Sequence, residues 1–275
     1  MRIATWNVNS VRTRAERIVD FLHRHDIDVL AMQETKVADD KFPYSVFEAA
    51  GYEVAHVGFH QWNGVAIVSR VGLRNVADSF PHQPKFAKDG DPVDEARAVG
   101  ATCGGVRVWS LYVPNGRDIL DPHYDYKLDF LYQLSAHVRR ELAADPEQKL
   151  LVVGDFNVAP RDEDVWDISI FEGKTHVTEP ERAAFQMLEE SGLTEITRPL
   201  TAERYTYWDY KSLRFQKGEG MRIDFQLASA PLADAATSAF VDVEERGGKG
   251  ASDHAPVVVE FDLDAAAKPA YDEVR

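Results

Sequence analysis

From position 150 the chain reads Leu150-Leu151-Val152-Val153, and within two residues it has become Gly154-Asp155-Phe156-Asn157. This run constrains the fold more than any other. A strand apolar at every position has no face to offer water, so it must lie in a sheet covered on both sides. Open single-faced sheets and all-helical bundles cannot house it. A cover stands just upstream: Tyr126 to Leu142 reads as a helix, with Leu128, Leu131, Leu134, Val138 and Leu142 on one stripe and charges opposite. The polar end matters as much. Gly154 is read as the point where the backbone turns sharply, and Asp155 and Asn157, two apart, would face one side of an extended segment. Side chains at such a strand end are held rigidly at a sheet edge, where ligands bind.

The same pattern recurs. Arg2 to Val8 reads as a strand, Arg14 to His25 as a helix with Ala15, Ile18, Val19, Phe21 and Leu22 at helical spacing, and Asp28 to Met32 as a second strand ending at Gln33-Glu34. Further strands are expected at Gly64 to Ser69, Val106 to Tyr112, Met221 to Leu227 and Pro256 to Leu263. A helix from Glu181 to Glu190 is closed by Gly192. Phe80 to Glu95, rich in Pro, Gly, Lys and Asp, reads as a loop. No linker divides the chain, so residues 1–264 are expected to form one mixed α/β domain, followed by a polar, frayed tail at 265–275.

Cys103 is the one cysteine, which excludes an intrachain disulfide and a Cys-based zinc cluster and fits a reducing cytoplasm. The N-terminus turns polar at once and does not read as a secretion signal. No apolar run approaches the ~20 residues of a membrane helix. A cytoplasmic protein without membrane attachment is expected. The charge pulls another way: 46 acidic against 31 basic residues leave a net charge of −15, whereas phosphate binding normally leaves a basic footprint. An acidic surplus can also mark carboxylates converging on a cation.

Hard oxygen donors and one imidazole recur at strand ends: Asn7, Glu34, Asp155, Asn157 and Asp253-His254. Singly, an Asp or Asn there is usually a turn or cap residue. Together they suit Mg2+ or Mn2+, and no HExxH zinc signature occurs. Gly173-Lys174-Thr175 fails as a phosphate loop, because Ile168 stands where the first glycine is needed. Gly247-Gly248-Lys249-Gly250 reads as a flexible loop.

Trp6-Asn7-Val8-Asn9, Gln33-Glu34-Thr35-Lys36, Tyr112-Val113-Pro114-Asn115-Gly116, Gly154-Asp155-Phe156-Asn157, Arg222-Ile223-Asp224 and Ser252-Asp253-His254 occur in the order and spacing of one family. From Met1 to about Leu263 the chain resembles the exonuclease III family of apurinic/apyrimidinic endonucleases, within the endonuclease/exonuclease/phosphatase superfamily. The resemblance implies a DNase I-like four-layer α/β sandwich, two mixed β-sheets face to face with helices outside. It implies a monomer acting on double-stranded DNA: Mg2+-dependent cleavage 5′ to abasic sites, and removal of nucleotides or blocking groups from 3′ ends. By the same resemblance Glu34 is the principal metal ligand, with Asn7 and Asp253 close by. Asp155 accepts the water's proton or binds a second metal, two readings that compete. Asn157 orients the phosphate or nucleophile, or joins the metal ligands. His254 bonds a phosphoryl oxygen, Asp224 fixes its tautomer, and Tyr112 donates to the phosphate or assists the leaving group.

For the flipped abasic sugar, the matching positions are Tyr207, Trp208, Met221 and Ile223, which on spacing alone read as ordinary core. Arg97, Asn115 and Arg222, with Lys36, Arg117, Lys127, Lys211, Arg214, Lys217 and Lys249, are candidate backbone contacts. Singly, each cation reads equally as solvated surface. Two alternatives stand beside this reading: a phosphoesterase of the same superfamily with a non-DNA substrate, and a non-catalytic DNA-binding relative. The second predicts a lost core residue, and none is lost.

Overall fold

The computed structural model describes residues 1–87 and 90–264. The expected tail at 265–275 lies outside them. The described strands form two six-stranded sheets. The first holds β1 (Arg2–Asn7), β2 (Val29–Gln33), β3 (Glu53–Val57), β4 (Val65–Ser69), β11 (Ala236–Val241) and β12 (Val257–Phe261), in the order β11-β12-β1-β2-β4-β3. The second holds β5 (Arg74–Ala77), β6 (Ala98–Cys103), β7 (Val106–Tyr112), β8 (Leu150–Asp155), β9 (Leu193–Glu195) and β10 (Asp224–Ser229), in the order β5-β6-β7-β8-β10-β9. Each sheet is mixed: β1–β2 and β7–β8 pair in parallel at the centre, and their neighbours run antiparallel. The parallel pairs are bridged by helices, α1 (Ala15–Arg24) and α3 (Pro122–Ala144).

The all-apolar run in β8 uses both of its faces. Leu151 and Val153 join Ile3, Ala31, Ile67, Val108 and Val259 in the layer between the sheets. Leu150 and Val152 point outward, against Leu134 and Val138 of α3 and Phe185 and Leu188 of α4 (Glu179–Glu189). On the far side, Trp6 and Leu30 pack against Phe21 of α1 and Phe47 of α2 (Tyr44–Ala49). The expected four-layer sandwich is therefore present. Two amides pin its layers: Gln33 Nε2 donates to Ser110 Oγ across the sheets at 3.0 Å, and Gln226 Nε2 donates to the carbonyls of Ile3 and Val257, each at 3.0 Å.

Helix α3 starts a turn before the expected Tyr126, because Asp121 caps it by accepting from His123 N, with Pro122 next. Helix α4 begins with a capping box between Thr178 and Glu181. Strands β3, β5, β6, β9 and β11 were not expected, and β10 starts at Asp224 rather than Met221. Gly154 also needs correction. It lies inside β8 at φ 147°, and a Cβ there would sit 1.9 Å from the Leu111 carbonyl oxygen. The glycine permits close approach to β7 rather than a turn.

Candidate active site

Strand register delivers the site. Tyr112 pairs with Asp155 across β7–β8, and Asp155 with Asp224 across β8–β10, so three functional side chains share one row at one edge. In the facing sheet Asn7 pairs with Gln33, and the next residue, Glu34, turns off the strand at φ 50°. Asn157 adopts φ 50° two residues after β8 ends. Non-glycine residues held in this region are strained, and here both flank the site. His254 precedes β12 and is seated by Trp6 Nε1 donating to its carbonyl at 3.0 Å.

These residues form a charged floor. Asn7 Nδ2 donates to Glu34 Oε1 at 2.8 Å and to Asp155 Oδ2 at 3.0 Å, bridging the two carboxylates. His254 Nδ1 lies 2.9 Å from Asp224 Oδ2, and its Nε2 lies 3.7 Å from Asp155 Oδ2. Thr206 Oγ1 donates to Asp224 Oδ2 at 2.6 Å, which fixes that carboxylate. Burial alone would push the His254 imidazolium down, but the Asp224 and Asp155 carboxylates outweigh it and raise its pKa to about 10. The imidazole is therefore cationic at neutral pH. Burial, with Asp224 and Glu34 adding to it against the opposing pull of His254, lifts the Asp155 carboxyl to about 7. Burial also disfavours the Glu34 carboxylate, yet the Lys36 ammonium, 2.7 Å from Oε2, and the Asn7 amide hold it below the usual range. Tyr112 is pushed well up by burial and by Glu34.

The donor set fits a divalent cation. Carboxylate oxygens of Glu34 and Asp155 lie within 4.8 Å of each other and of His254, whose protonated ring serves as a neighbouring cation rather than a ligand. At the floor, the carboxylates of Glu34, Asp155, Asp224 and Asp253 outnumber the His254 and Lys36 cations that lie at ion-pair distance from them; Lys174 and Arg214 stand on the wall above, and Arg214 is already paired with Glu219. That leaves an anionic surplus in a mostly buried place, which a hard cation offsets.

Above the floor the cavity encloses about 360 Å³. Its wall comes largely from loops and sets Trp166, Ile170, Phe171, Tyr207, Met221 and Ile223 beside the charged Lys174, Asp209, Arg214 and Glu219. Asn115, Asn157 and His176 close one side. Asn115 Nδ2 donates to Asn157 Oδ1 at 3.0 Å, and His176 Nε2 lies 3.2 Å from that oxygen and 3.3 Å from Asn115 Nδ2. Burial, reinforced by the Lys127 ammonium, keeps His176 neutral with a pKa of about 3.

The pattern of the Endonuclease/Exonuclease/phosphatase family matches residues 4–254. The chain belongs to that family. Within it the chain is of the exonuclease III type, and it is a hydrolase. A 3′-5′ exonuclease from Neisseria meningitidis is 38% identical, with a TM-score of 0.87 over 95% of this chain and 100% of that one. An AP endonuclease from Archaeoglobus fulgidus is 34% identical, with a TM-score of 0.86 over 95% and 99%. The exodeoxyribonuclease III of Haemophilus influenzae is 28% identical over 95% of this chain and all of its own length.

The structure gathers most of the family positions expected from sequence and moves others. Glu34, Tyr112, Asn115, Asp155, Asn157, Tyr207, Met221, Ile223, Asp253 and His254 line one cavity, and Asp224 stands directly behind His254. Asn7 Nδ2 donates to the Glu34 and Asp155 carboxylates, and Asn157 Oδ1 accepts from Asn115. Asp253 lines the cavity apart from the Glu34–Asp155–His254 cluster, and its Oδ1 accepts from Asn9.

Trp208 needs correcting. It is buried against Tyr205 and Phe215 rather than the cavity, because its backbone N–H holds the Asp253 carbonyl and draws the ring behind the loop. Arg97 and Arg222 are each 3% exposed and cannot reach a DNA backbone. Arg97 lies under the Tyr112 ring and binds Glu95 and the Tyr112 carbonyl, while Arg222 donates to the carbonyls of Glu203 and Arg204. Lys127 is likewise sealed inside. Arg117, Lys211, Lys217 and Lys249 remain exposed. The glycine loop at 247–250 is tied down, with Arg14 Nε donating to the Gly250 carbonyl and Arg17 Nη1 to that of Lys249. Sequence reasoning missed Trp166, Ile170, Phe171 and His176, which carry no periodic signal, and set aside Lys174, which does line the cavity.

Proposed function

We propose that this chain, a DNA-repair nuclease, cleaves the phosphodiester bond 5′ to abasic sites and removes nucleotides or blocking groups from 3′ ends, with Mg2+ as cofactor and duplex DNA as partner. The observation that carries the reading is the placement of Asp155 between Asn7 and the cationic His254, on the floor of a small cavity with apolar side chains in its wall. Glu34 would hold the cation, which would neutralise charge on the phosphoryl and leaving oxygens. His254 keeps its proton at neutral pH and therefore donates to a non-bridging phosphoryl oxygen instead of acting as base. Asp224 supplies the charge and geometry that keep it so. Asp155, within reach of the same position, takes the proton from the attacking water. Tyr112, held neutral, donates a hydrogen bond to the phosphate. The wall of Trp166, Phe171, Tyr207, Met221 and Ile223 suits a sugar without its base, since a small apolar pocket excludes an intact nucleotide.

Three similar solved structures support both halves of the reading: one is described as a 3′-5′ exonuclease, one as a 3′ phosphatase bound to a product DNA hairpin, and one as an AP endonuclease. The test is gel analysis of an abasic-analogue duplex beside an undamaged recessed-end duplex, each with Mg2+ and with EDTA. Incision 5′ to the lesion and trimming of the recessed 3′ end, both stopped by EDTA, are expected. Equal internal cutting of undamaged duplex, or cutting that EDTA leaves intact, would defeat the specificity or the chemistry respectively.

A further inference from the structure

Behind the cavity wall lies a second ionic centre that the chemistry above does not use. The Lys127 ammonium and the Glu181 carboxylate are hydrogen-bonded to each other, and both side chains are fully buried. A sealed ion pair is a weak source of stability, because desolvation offsets the attraction and an apolar pair of similar volume does as well. Its other contacts suggest what it is for. Lys127 Nζ also donates to the main-chain oxygens of Asn157 and Asn115, the latter at 3.2 Å. Glu181 Oε1 accepts the backbone N–H of His176 at 2.9 Å and the Thr175 hydroxyl at 2.6 Å. The pair thus grips the backbone of three residues from three separate segments: after β7, after β8 and before α4. Those same three residues turn their side chains the opposite way, where they close the Asn115–Asn157–His176 triangle lining the cavity.

We infer that the Lys127–Glu181 pair is a positioning device, which sets the Asn115–Asn157–His176 triangle against the substrate without touching the substrate. The physical reason is leverage. Each segment leaves its strand or enters its helix with no ladder partner at these residues, so one buried charge pair supplies the common reference point that a sheet gives the floor. Misplacement of a site group by about 1 Å can cost on the order of a hundredfold in rate, which makes a shared anchor worth its desolvation cost. The assay rests on the nuclease reading; the geometry does not.

The test measures kcat and KM for wild type, Lys127→Met, Glu181→Gln, Asn157→Ala and the double variants. The substrate is a duplex carrying a tetrahydrofuran abasic analogue, with Mg2+, below each melting transition. Lys127→Met and Glu181→Gln are expected to lower kcat by about 10- to 100-fold while KM stays within about threefold. In the Asn157→Ala background the same changes should cost less than about threefold, because the oxygen that both Asn115 and His176 contact is gone and the triangle is already open. Losses that multiply, or an unchanged kcat in the single variants, overturn the inference. A wild type that cuts no DNA strikes the nuclease reading instead. In that event, or where Lys127→Met does not melt cooperatively, the side-chain amide NMR signals of Asn115 and Asn157 in Glu181→Gln decide. They should shift or broaden while that of Asn63 stays in place, and unmoved signals would refute the positioning role.

Discussion

The floor and the wall of the cavity are adjacent yet built by different means. On the floor, Tyr112, Asp155 and Asp224 share one row of a hydrogen-bonded ladder, so every strand bond above them helps fix their positions. One half of the wall stands on the stretch from Trp166 to His176, where only short helical turns occur and side chains supply much of the anchoring; in the other half Tyr207 and Met221 are paired through their backbones in a single bridge. The floor is charged, and the wall carries the apolar side chains of the lining. Proton transfer and charge stabilisation demand fixed distances, whereas excluding a base demands shape. The rigid framework holds the chemistry, and the adaptable loops hold the selectivity.

The largest effect should come from the floor. His254→Ala and Glu34→Ala are each expected to keep a cooperative melt and to lose about 10³-fold or more in turnover of the abasic duplex. Near-wild-type turnover in either breaks the contrast. Next comes the ladder that carries the floor. Gly154→Ala places a Cβ against the Leu111 carbonyl in a backbone conformation unsuited to alanine, so it should destabilise by about 3 kcal/mol or more in a urea melt. A stability within about 0.5 kcal/mol of wild type would show that β7 and β8 yield more readily than proposed.

A wall substitution should be gentler. Phe171→Ala is expected to raise KM for the abasic duplex about tenfold and leave kcat within about threefold, since it removes apolar contact and no charge. A kcat collapse would merge wall with floor. The smallest effect concerns the frame beneath the wall. His123 Nδ1 accepts the Gly116 N–H at 3.0 Å, which requires an unprotonated nitrogen. Burial, with Arg97 beside it, pushes its pKa from 6.5 down to about 4. The unfolded chain takes up the proton first, so this contribution is complete above pH 6.5 and fades as pH falls toward 4. His123→Asn should flatten the stability–pH slope in that window by about 1 kcal/mol per pH unit. An unchanged slope would remove His123 from the account.

How far the sequence reveals all this follows the same division. Strand ends were legible because a buried strand reads as a continuous apolar run, and the polar residue closing it stands out: Asn7, Glu34 and Asp155 were singled out in this way, and the family resemblance then gave them their roles. Edge strands such as β5 and β11 were missed because their exposed faces interrupt the pattern. Arg97, Arg222 and Lys127 read as surface cations, since an isolated charge in sequence gives no sign that a carbonyl or carboxylate waits for it inside. Trp166, Phe171 and His176 escaped for the opposite reason. An aromatic or imidazole in irregular chain has no period to reveal which way it faces.

By itself the sequence determined a mixed α/β domain, because apolar runs of strand length and a striped helix must cover one another, with the four-layer sandwich following from the family resemblance of its motifs, and it determined the hard oxygen and imidazole chemistry, because residue type is local information. Tertiary structure alone decided which charges meet. Asp155 and His254 are far apart along the chain and acquire their altered proton affinities only when burial strips water from both and brings Asp224 alongside. Desolvation and distance belong to the folded arrangement, and no single segment contains either.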